Sequence, residues 1–302
     1  MNVAIIDVGS NSIRLLVANV ADGRVEQLHR ERIYMRLGDD AFRLGRIGPR
    51  KLRETREVAK RFARVAKKSG AKRLETIVTA PGRQASNHEE LVDVLSESTG
   101  APVVVLTADE EGRLAWHGAV ARTEKPPEIV AVVDLGGGSC ELAVGTPQLG
   151  PTWVRSIEAG SLRVTRAFLS SDRPGVRPGD PPSPKLLASA RREVRLLTED
   201  LDPPRPDVAI AVGGTARALN RVVGRRFGID DLEALVATLS SVPAESVTKS
   251  HGVTPERSET LLGGTLVLAE IARRLDSELE VGRGGLREGA ALALAHSEAA
   301  AA

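Results

Sequence analysis

The chain has 302 residues, of which 41% are apolar, 27% charged and 2% aromatic, and its formal net charge is +2. These values predict a soluble globular protein with an aliphatic core, and they disfavour nucleic-acid binding because both excess positive charge and aromatic stacking surfaces are scarce. The single cysteine, Cys140, excludes a disulfide framework within one chain and is typical of a reducing compartment. No apolar run reaches the roughly 20 residues of a membrane helix, and the strand-like start resembles no signal peptide. We therefore expect a cytoplasmic protein.

The first predicted elements are repeated later in the chain. Residues 3–18 read VAIIDVGSNSIRLLVA and residues 130–145 read VAVVDLGGGSCELAVG, an alignment without gaps at an offset of 127. Each copy predicts a buried strand that ends in Asp, then a turn rich in Gly and Ser, then a second strand. A third strand is expected after the Asp22-Gly23 turn in the first copy and around 151–157 in the second.

Helical patterns follow each copy of the repeat. The spacing of apolar residues predicts helices over 50–68, 87–99, 109–120, 183–201, 230–241 and 255–275. The duplication indicates two similar α/β domains on either side of a cleft.

We place the boundary between the two domains within the polar stretch 122–128. The domains then span 1–124 and 125–302, and it is left open whether a terminal helix near 288–302 packs back on the first. The proline-rich segment 173–184 is predicted to be a surface loop.

The two repeated turns have the composition of phosphate-binding loops. Glycines allow the backbone to approach an anion closely, and successive N–H groups form a positive nest. The first turn contributes Gly9, Ser10, Asn11 and Ser12, and the second contributes Gly136, Gly137, Gly138 and Ser139. The carboxylates of Asp7 and Asp134 stand at the strand ends, where they are candidate Mg²⁺ ligands. The alternative is a pair of ordinary hairpin turns, but their identical order favours the phosphate-binding interpretation.

Two further glycine turns are less informative. Gly213, Gly214 and Thr215 follow an apolar strand, where they fit a phosphate site at a helix N-terminus and a packing turn equally well. The turn at 284–289 precedes the terminal helix, and we expect it to serve structural closure. No Walker-type Gly-x-x-x-x-Gly-Lys sequence occurs.

Six motifs in order resemble the exopolyphosphatase/guanosine pentaphosphatase (Ppx/GppA) family, which has two actin-like (ribonuclease-H-like) domains flanking a cleft. The resemblance covers nearly the whole chain. Its motifs are DVGSNS at 7–12, TAPGRQASN at 79–87, EEGRL at 110–114, DLGGGSCEL at 134–142, VGGT at 212–215 and GLREG at 285–289.

The resemblance implies Mg²⁺-dependent hydrolysis, with Mn²⁺ as an alternative metal, of the terminal phosphoanhydride of inorganic polyphosphate. Glu111 would be the base that activates water, with Glu110 as the second candidate, and Glu141 would order the metal's waters or the nucleophile. Asp134 would be the main metal ligand, and Arg83 would contact phosphate oxygens.

The remaining charged residues are weaker candidates. Arg14, Arg163 and Arg287 are either phosphate contacts or structural ion pairs. The basic segment 43–68 either guides a polyanion toward the site or is a solvated face. The five histidines show no ligand spacing, so the sequence does not predict a zinc site.

Departures from the family pattern leave other functions open. Ala80 stands where the family has Ser, and Cys140 where it has Thr, and the additional C-terminal domains of the longest members are not present in this sequence. The alternatives are a guanosine pentaphosphate (pppGpp) 5'-phosphohydrolase and a non-catalytic polyphosphate or (p)ppGpp-binding sensor. A kinase of the same superfamily is disfavoured by the Glu110-Glu111 element. No membrane partner is expected, and a homodimer fits such families.

Overall fold

The computed structural model describes residues 1–123, 128–169 and 180–299. The chain divides into two compact units, Met1–Glu124 together with Gly284–Ala302, and Lys125–Arg283. In the described ranges, no helix combines the length and the apolar character needed to cross a membrane.

The first unit is built on a five-stranded sheet in the order β3-β2-β1-β4-β5. Strand β2 pairs antiparallel with both β1 and β3, whereas β1, β4 and β5 run parallel to one another. The strands are β1 Asn2–Val8, β2 Ser12–Ala21, β3 Arg24–Tyr34, β4 Arg73–Val78 and β5 Val103–Val105.

Helices cover both faces of this sheet. They are α1 Leu37–Leu44, α2 Pro49–Lys68, α3 Ala80–Gln84, α4 His88–Thr99, α5 Ala108–Val120 and the C-terminal α12 Leu286–Ala299. Strand β1 is apolar on both sides because Ala4 and Ile6 face the core that contains Phe62 of α2, while Val3 and Ile5 face the core that contains Leu292 of α12. An uninterrupted apolar run is the pattern expected of a strand covered on both faces.

The second unit repeats this arrangement with one additional edge strand, in the order β10-β11-β9-β6-β7-β8. Its strands are β6 Val130–Leu135, β7 Cys140–Thr146, β8 Gly150–Ile157, β9 Val208–Val212, β10 Arg226–Phe227 and β11 Leu279–Val281. Its helices are α6 Ser161–Val164 with a following π-helical turn Thr165–Leu169, α7 Pro184–Thr198, α8 Gly213–Val222, α9 Ile229–Ser241, α10 Ala244–His251 and α11 Pro255–Leu275. The two sheets confirm the predicted actin-like α/β fold.

The predicted secondary structure agrees with these elements. All six predicted helices form within three residues of their expected bounds, and the expected third strands are β3 and β8. Most of the proline-rich segment 173–184 and the centre of the boundary stretch 122–128 lie outside the described residues.

The C-terminal helix α12 belongs to the first unit, so the second unit ends at Arg283 and not at residue 302. The physical reason is close packing of α12 against α5. A Cβ on Gly118 would overlap the carbonyl oxygen of Gly285, and a Cβ on Gly289 would overlap that of Leu114. Glycine permits this approach, and α12 then buries its apolar side on the sheet.

We expect Gly118→Ala to destabilise the first unit, although alanine favours a helix by about 1 kcal/mol over glycine. Overpacking of this kind costs about 1–3 kcal/mol, which is measurable by urea denaturation. Gly228→Ala is the comparison, because a Cβ there meets no atom closer than 3.7 Å and the cost is limited to that of alanine at the N-cap of α9. A free energy of unfolding of Gly118→Ala equal to or above that of the wild type would show that α12 does not pack closely on α5.

Candidate active site

The turn between β1 and β2 is held by hydrogen bonds to its carbonyl oxygens. Gly9 N donates to Ser12 O at 3.2 Å, and Ser10 O accepts from Gly38 N, in the first turn of α1, at 2.8 Å. The carbonyl of Asn11 accepts from the amides of residues 35 and 36. In a trans peptide the C=O and the next N–H point in opposite directions, so the Asn11 N–H points away from α1. The turn therefore presents N–H groups on the side opposite α1, as an anion-binding nest does.

Two side chains of this turn, those of Ser10 and Asn11, have polar atoms without hydrogen-bond partners in the described residues. Ser10 Oγ and both polar atoms of the Asn11 amide are buried and have no hydrogen-bond partner in the described part of the chain. Leaving a buried polar group unpaired costs about 1–3 kcal/mol. Such a cost is expected where a polar ligand completes the hydrogen bonds.

Two arginines flank the carboxylate at the end of β1. Asp7 is 5% exposed, and its Oδ2 lies 3.7 Å from Arg14 Nη1 and 4.0 Å from Arg287 Nε. Burial lowers the pKa of Arg287, and the nearby positive charge of Arg14 lowers it further. Two guanidinium groups against one carboxylate leave a net positive charge beside the turn, which suits a phosphate.

The second turn has the same construction. Gly136 N donates to Ser139 O at 3.1 Å, and Gly137 O accepts from the amides of residues 162 and 163 at 3.0 Å. Gly137 corresponds to Ser10 at the repeat offset, and in both cases the acceptor is held by amides at the start of the next helix. A Cβ on Gly160 would overlap the Gly137 carbonyl group, so a glycine is required there.

The acidic pair of the second unit is Asp134 and Glu141, which stand opposite each other on β6 and β7. Glu141 is buried, and its Oε1 accepts a hydrogen bond from Ser156 Oγ at 2.8 Å. Burial raises the pKa of the Cys140 thiol well above its usual value, and the Glu141 and Asp134 carboxylates add to this effect. The thiol is thus held protonated beside a strongly negative locus.

The same position of the repeat carries opposite charge in the two units. Arg14 pairs with Asp7 across β1 and β2, whereas Glu141 pairs with Asp134 across β6 and β7. The first turn is therefore suited to an anion and the second to a cation. No cluster of three or more His, Cys, Asp or Glu side chains with metal-binding geometry is present in the described ranges. Mg²⁺ requires only one or two carboxylates when substrate phosphates and water supply its other ligands.

The acidic run at the start of α5 divides into three different roles. Asp109 forms an exposed ion pair with Arg113. Glu110 closes a capping box, because its Oε2 accepts from Thr107 N at 2.8 Å while Glu110 N donates to Thr107 Oγ1 at 3.2 Å. Glu111 alone is buried. Glu110 thus has a structural role in the helix N-terminus, which distinguishes it from Glu111.

Arg83 fixes the position of Glu111. Its Nη1 lies 2.9 Å from Glu111 Oε2 and donates to Leu106 O at 2.8 Å. The three groups follow the carboxyl ends of the parallel strands β4 and β5, and the turn Gly9–Ser12 follows that of β1. Glu111, Arg83 and the Gly9–Ser12 turn are therefore placed at one edge of the same sheet.

The Gly213–Thr215 segment approaches the end of β6 closely and also packs against another helix. Gly213 has φ +96°, and a Cβ on it would lie 3.1 Å from Asp134 Oδ1. The hydroxyl of Thr215 is fully buried and accepts a hydrogen bond from Arg257 Nη1 at 3.3 Å. The glycine adjoins the acidic pair, whereas Thr215 packs against α11.

Arg163, another candidate from the sequence, forms an ion pair with Glu158 at 2.9 Å.

Sequence reasoning missed Thr79. Its side chain is buried, its amide donates to Val8 O, and its Oγ1 would lie 3.7 Å from a Cβ on Gly9. The hydroxyl thus borders the first turn, next to the Ala80 position that lacks one. Its position directly after the parallel strand β4, where ligand-binding residues commonly lie, was the feature of the sequence that could have identified it.

We expect Gly9→Ala to reduce affinity for pyrophosphate at least tenfold without changing the melting temperature. The added Cβ meets only ordinary contacts, the nearest at 3.5 Å to Ser12 O, so the free fold tolerates it. It faces Asp7 and Thr79, however, where it would obstruct the approach of an anion. Calorimetric titration measures the affinity, with Gly228→Ala as the control, and unchanged affinity would mean that the turn binds no phosphate.

The chain is similar to known proteins over almost its whole length. Residues 16–298 match the Ppx/GppA phosphatase family. Exopolyphosphatase 2 of Mycobacterium tuberculosis is 31% identical over 97% of this chain and 98% of its own length, and exopolyphosphatase 1 of Mycobacterium leprae is 28% identical over 99% and 91%. The crystal structure of the Aquifex aeolicus Ppx/GppA family member superposes with a TM-score of 0.81 at 26% identity, covering 99% of this chain and 98% of that one. The chain belongs to the Ppx/GppA phosphatase family.

Proposed function

We propose that this phosphatase is an exopolyphosphatase, which hydrolyses the terminal phosphoanhydride of inorganic polyphosphate and releases orthophosphate. The observation that carries the proposal is the buried Glu111, fixed by Arg83 at the same sheet edge as the Gly9–Ser12 turn. The names of the mycobacterial relatives, which the chain matches over nearly its full length, support the choice of polyphosphate.

In the proposed reaction, Glu111 accepts a proton from the attacking water. The water oxygen forms a bond to the terminal phosphorus while the bridging P–O bond breaks, and the shortened chain leaves with the bridging oxygen. Phosphoryl transfer depends mainly on positioning and charge neutralisation. The N–H groups of the first turn, with Arg14 and Arg287, would supply both for the phosphate oxygens.

Arg83 would then position the base. Its contact with Leu106 O ties the guanidinium to the backbone, and its contact with Glu111 orients the carboxylate. Phosphate oxygens of the substrate are the natural competitors for this guanidinium. We therefore retain Arg83 as a phosphate contact in the substrate complex and add the positioning of Glu111 in the free protein.

The donor set of the second unit fits Mg²⁺ or Mn²⁺. Asp134 is a partly exposed carboxylate beside the buried Glu141, so it would bind the ion directly while Glu141 orders water ligands. A bound ion would neutralise charge on the phosphate oxygens. Asp7 is less suited to this role than predicted from sequence, because Arg14 and Arg287 compete for its oxygens.

A phosphate-release assay tests the assignment. Purified protein with Mg²⁺ is given polyphosphates of graded length, pppGpp and ATP at equal phosphate-end concentration. We expect polyphosphate to have the highest kcat/KM of these substrates. Preference for pppGpp would assign the alternative hydrolase activity, and tight binding without phosphate release would indicate a sensor.

We expect Glu111→Gln to lower kcat by about 10²–10⁴, the usual effect of removing a general base. The amide keeps the shape of the side chain but cannot accept the proton. KM should stay within a few-fold, because the phosphate contacts remain. Steady-state kinetics on polyphosphate measure both values.

Glu110→Gln is the matched control, because glutamine also serves in a capping box. It should retain most of the wild-type kcat. If Glu111→Gln retains more than about a tenth of wild-type kcat, which is above the loss expected for a general base, the base is another group.

We expect Asp134→Asn to lose activity at low Mg²⁺ and to recover part of it at high Mg²⁺, because the lesion lies in metal affinity. Asp7→Asn is the comparison, since its loss should not be rescued if Asp7 serves chiefly to orient the two arginines. Activity is measured across a Mg²⁺ titration. If high Mg²⁺ rescues both variants equally, Asp7 is also a metal ligand. If high Mg²⁺ rescues neither variant, Asp134 is not a metal ligand.

A further inference from the structure

Helix α2 is far more basic than the rest of the protein. Its 20 residues carry nine basic and two acidic side chains, a net charge of +7, whereas the whole chain has a net charge of only +2. Positive charge is therefore concentrated on one element of the first unit.

Three of these cations form a stripe along the exposed side of the helix. Arg53, Lys60 and Lys67 recur every seven residues, which places them on one face, and the exposed Glu57 is the acidic residue of that face. The opposite face packs into the core through residues such as Leu52 and Phe62. In the described portion of the chain, the ion pairs of α2 with carboxylates are formed by Arg50, Arg56 and Arg61 and by none of these three side chains. We call these residues the α2 stripe.

The N-terminus of α2 carries cations where a helix usually carries acidic residues. Its first turn contains Arg50 and Lys51 and no acidic residue, whereas the first turn of α5 contains three acidic residues. Two carboxylates offset part of this charge, because Gly48 N donates to Asp40 Oδ2 at 2.9 Å and Arg50 pairs with Glu54 at 2.7 Å. Cations at the positive end of a helix dipole are unfavourable, so the remaining positive charge suits a surface that receives an anion.

The same end of α2 adjoins the phosphate-binding turn. Lys51 Nζ donates to Met35 O, and Met35 N donates to Asn11 O at 3.1 Å. The other end of α2 lies near the start of β1, where Lys72 N donates to Asn2 O at 2.9 Å. From Arg53 to Lys67 the stripe covers about 21 Å at the helical rise. It therefore begins near the turn and runs away from it along the first unit.

We propose that the α2 stripe binds the distal phosphates of a linear polyphosphate whose end occupies the Gly9–Ser12 turn. This inference rests on the proposed function and adds to it a preference for long chains. Evenly spaced cations match a polymer with regularly spaced charge. Single-stranded nucleic acid fits less well, because its bases require aromatic stacking platforms, and α2 has one aromatic residue, the buried Phe62.

The test is the triple variant Arg53→Gln, Lys60→Gln and Lys67→Gln. The matched control removes three exposed charges from α7 with Lys185→Gln, Arg192→Gln and Arg195→Gln, so the change in net charge is the same. Binding of long-chain polyphosphate and of tripolyphosphate is measured by calorimetry with EDTA present, so that hydrolysis is not required.

We expect the stripe variant to reduce the ratio of long-chain to tripolyphosphate affinity about tenfold. Its salt dependence should become shallower, by about two in the slope of log K against log salt. Its melting temperature should stay close to that of the wild type, because substitutions of exposed side chains usually change stability little. The α7 control should keep the wild-type affinity ratio.

The outcomes separate this inference from the proposed function. Phosphate release from polyphosphate with an unchanged affinity ratio in the stripe variant would overturn the inference and leave the activity intact. If the wild-type protein releases no phosphate and the stripe variant has a reduced ratio of long-chain to tripolyphosphate affinity, the role of the stripe is supported and the proposed activity is rejected. Loss of single-stranded RNA binding in the stripe variant, with polyphosphate binding unchanged, would also overturn the inference.

Discussion

The structure of the two turns depends on one set of hydrogen bonds, those that hold the carbonyl oxygens of each turn. In each unit, amides at the start of the following helix bind the carbonyl at the same repeat position, Ser10 or Gly137. Because the peptide is planar and trans, this fixes the direction of the next N–H group as well. Helices α1 and α6 thus orient the turns, and the glycines make close approach possible. Without these helices the same sequences would be ordinary hairpin connections.

The repeat carries opposite charges at one matched position of its two copies. The strand, turn and strand are retained, but the residue opposite the aspartate is Arg14 in one copy and Glu141 in the other. A single difference in charge thus makes the surroundings of the first turn suited to an anion and those of the second suited to a cation.

Much of the fold was accessible from the sequence because its signals are local. The aligned runs at 3–18 and 130–145 predicted the strands and turns, and apolar spacing predicted the longer helices. The roles within the site were less accessible, because they depend on contacts distant in sequence. Glu110 and Glu111 look alike as neighbours, and only the capping box and the Arg83 contact separate them. The sequence left Thr215 open between a phosphate contact and a packing residue, because the hydrogen bond that its hydroxyl accepts from Arg257 of α11 joins residues 42 positions apart.

The packing of α12 has a consequence for synthesis of the protein. Strand β1 is translated some 280 residues before the helix that covers part of one of its faces and brings Arg287 to Asp7. At ordinary translation rates that interval is on the order of tens of seconds. During it, the residues of β1 that pack on α12 have no cover from that helix. The core of the first unit is therefore completed only once α12 has been translated.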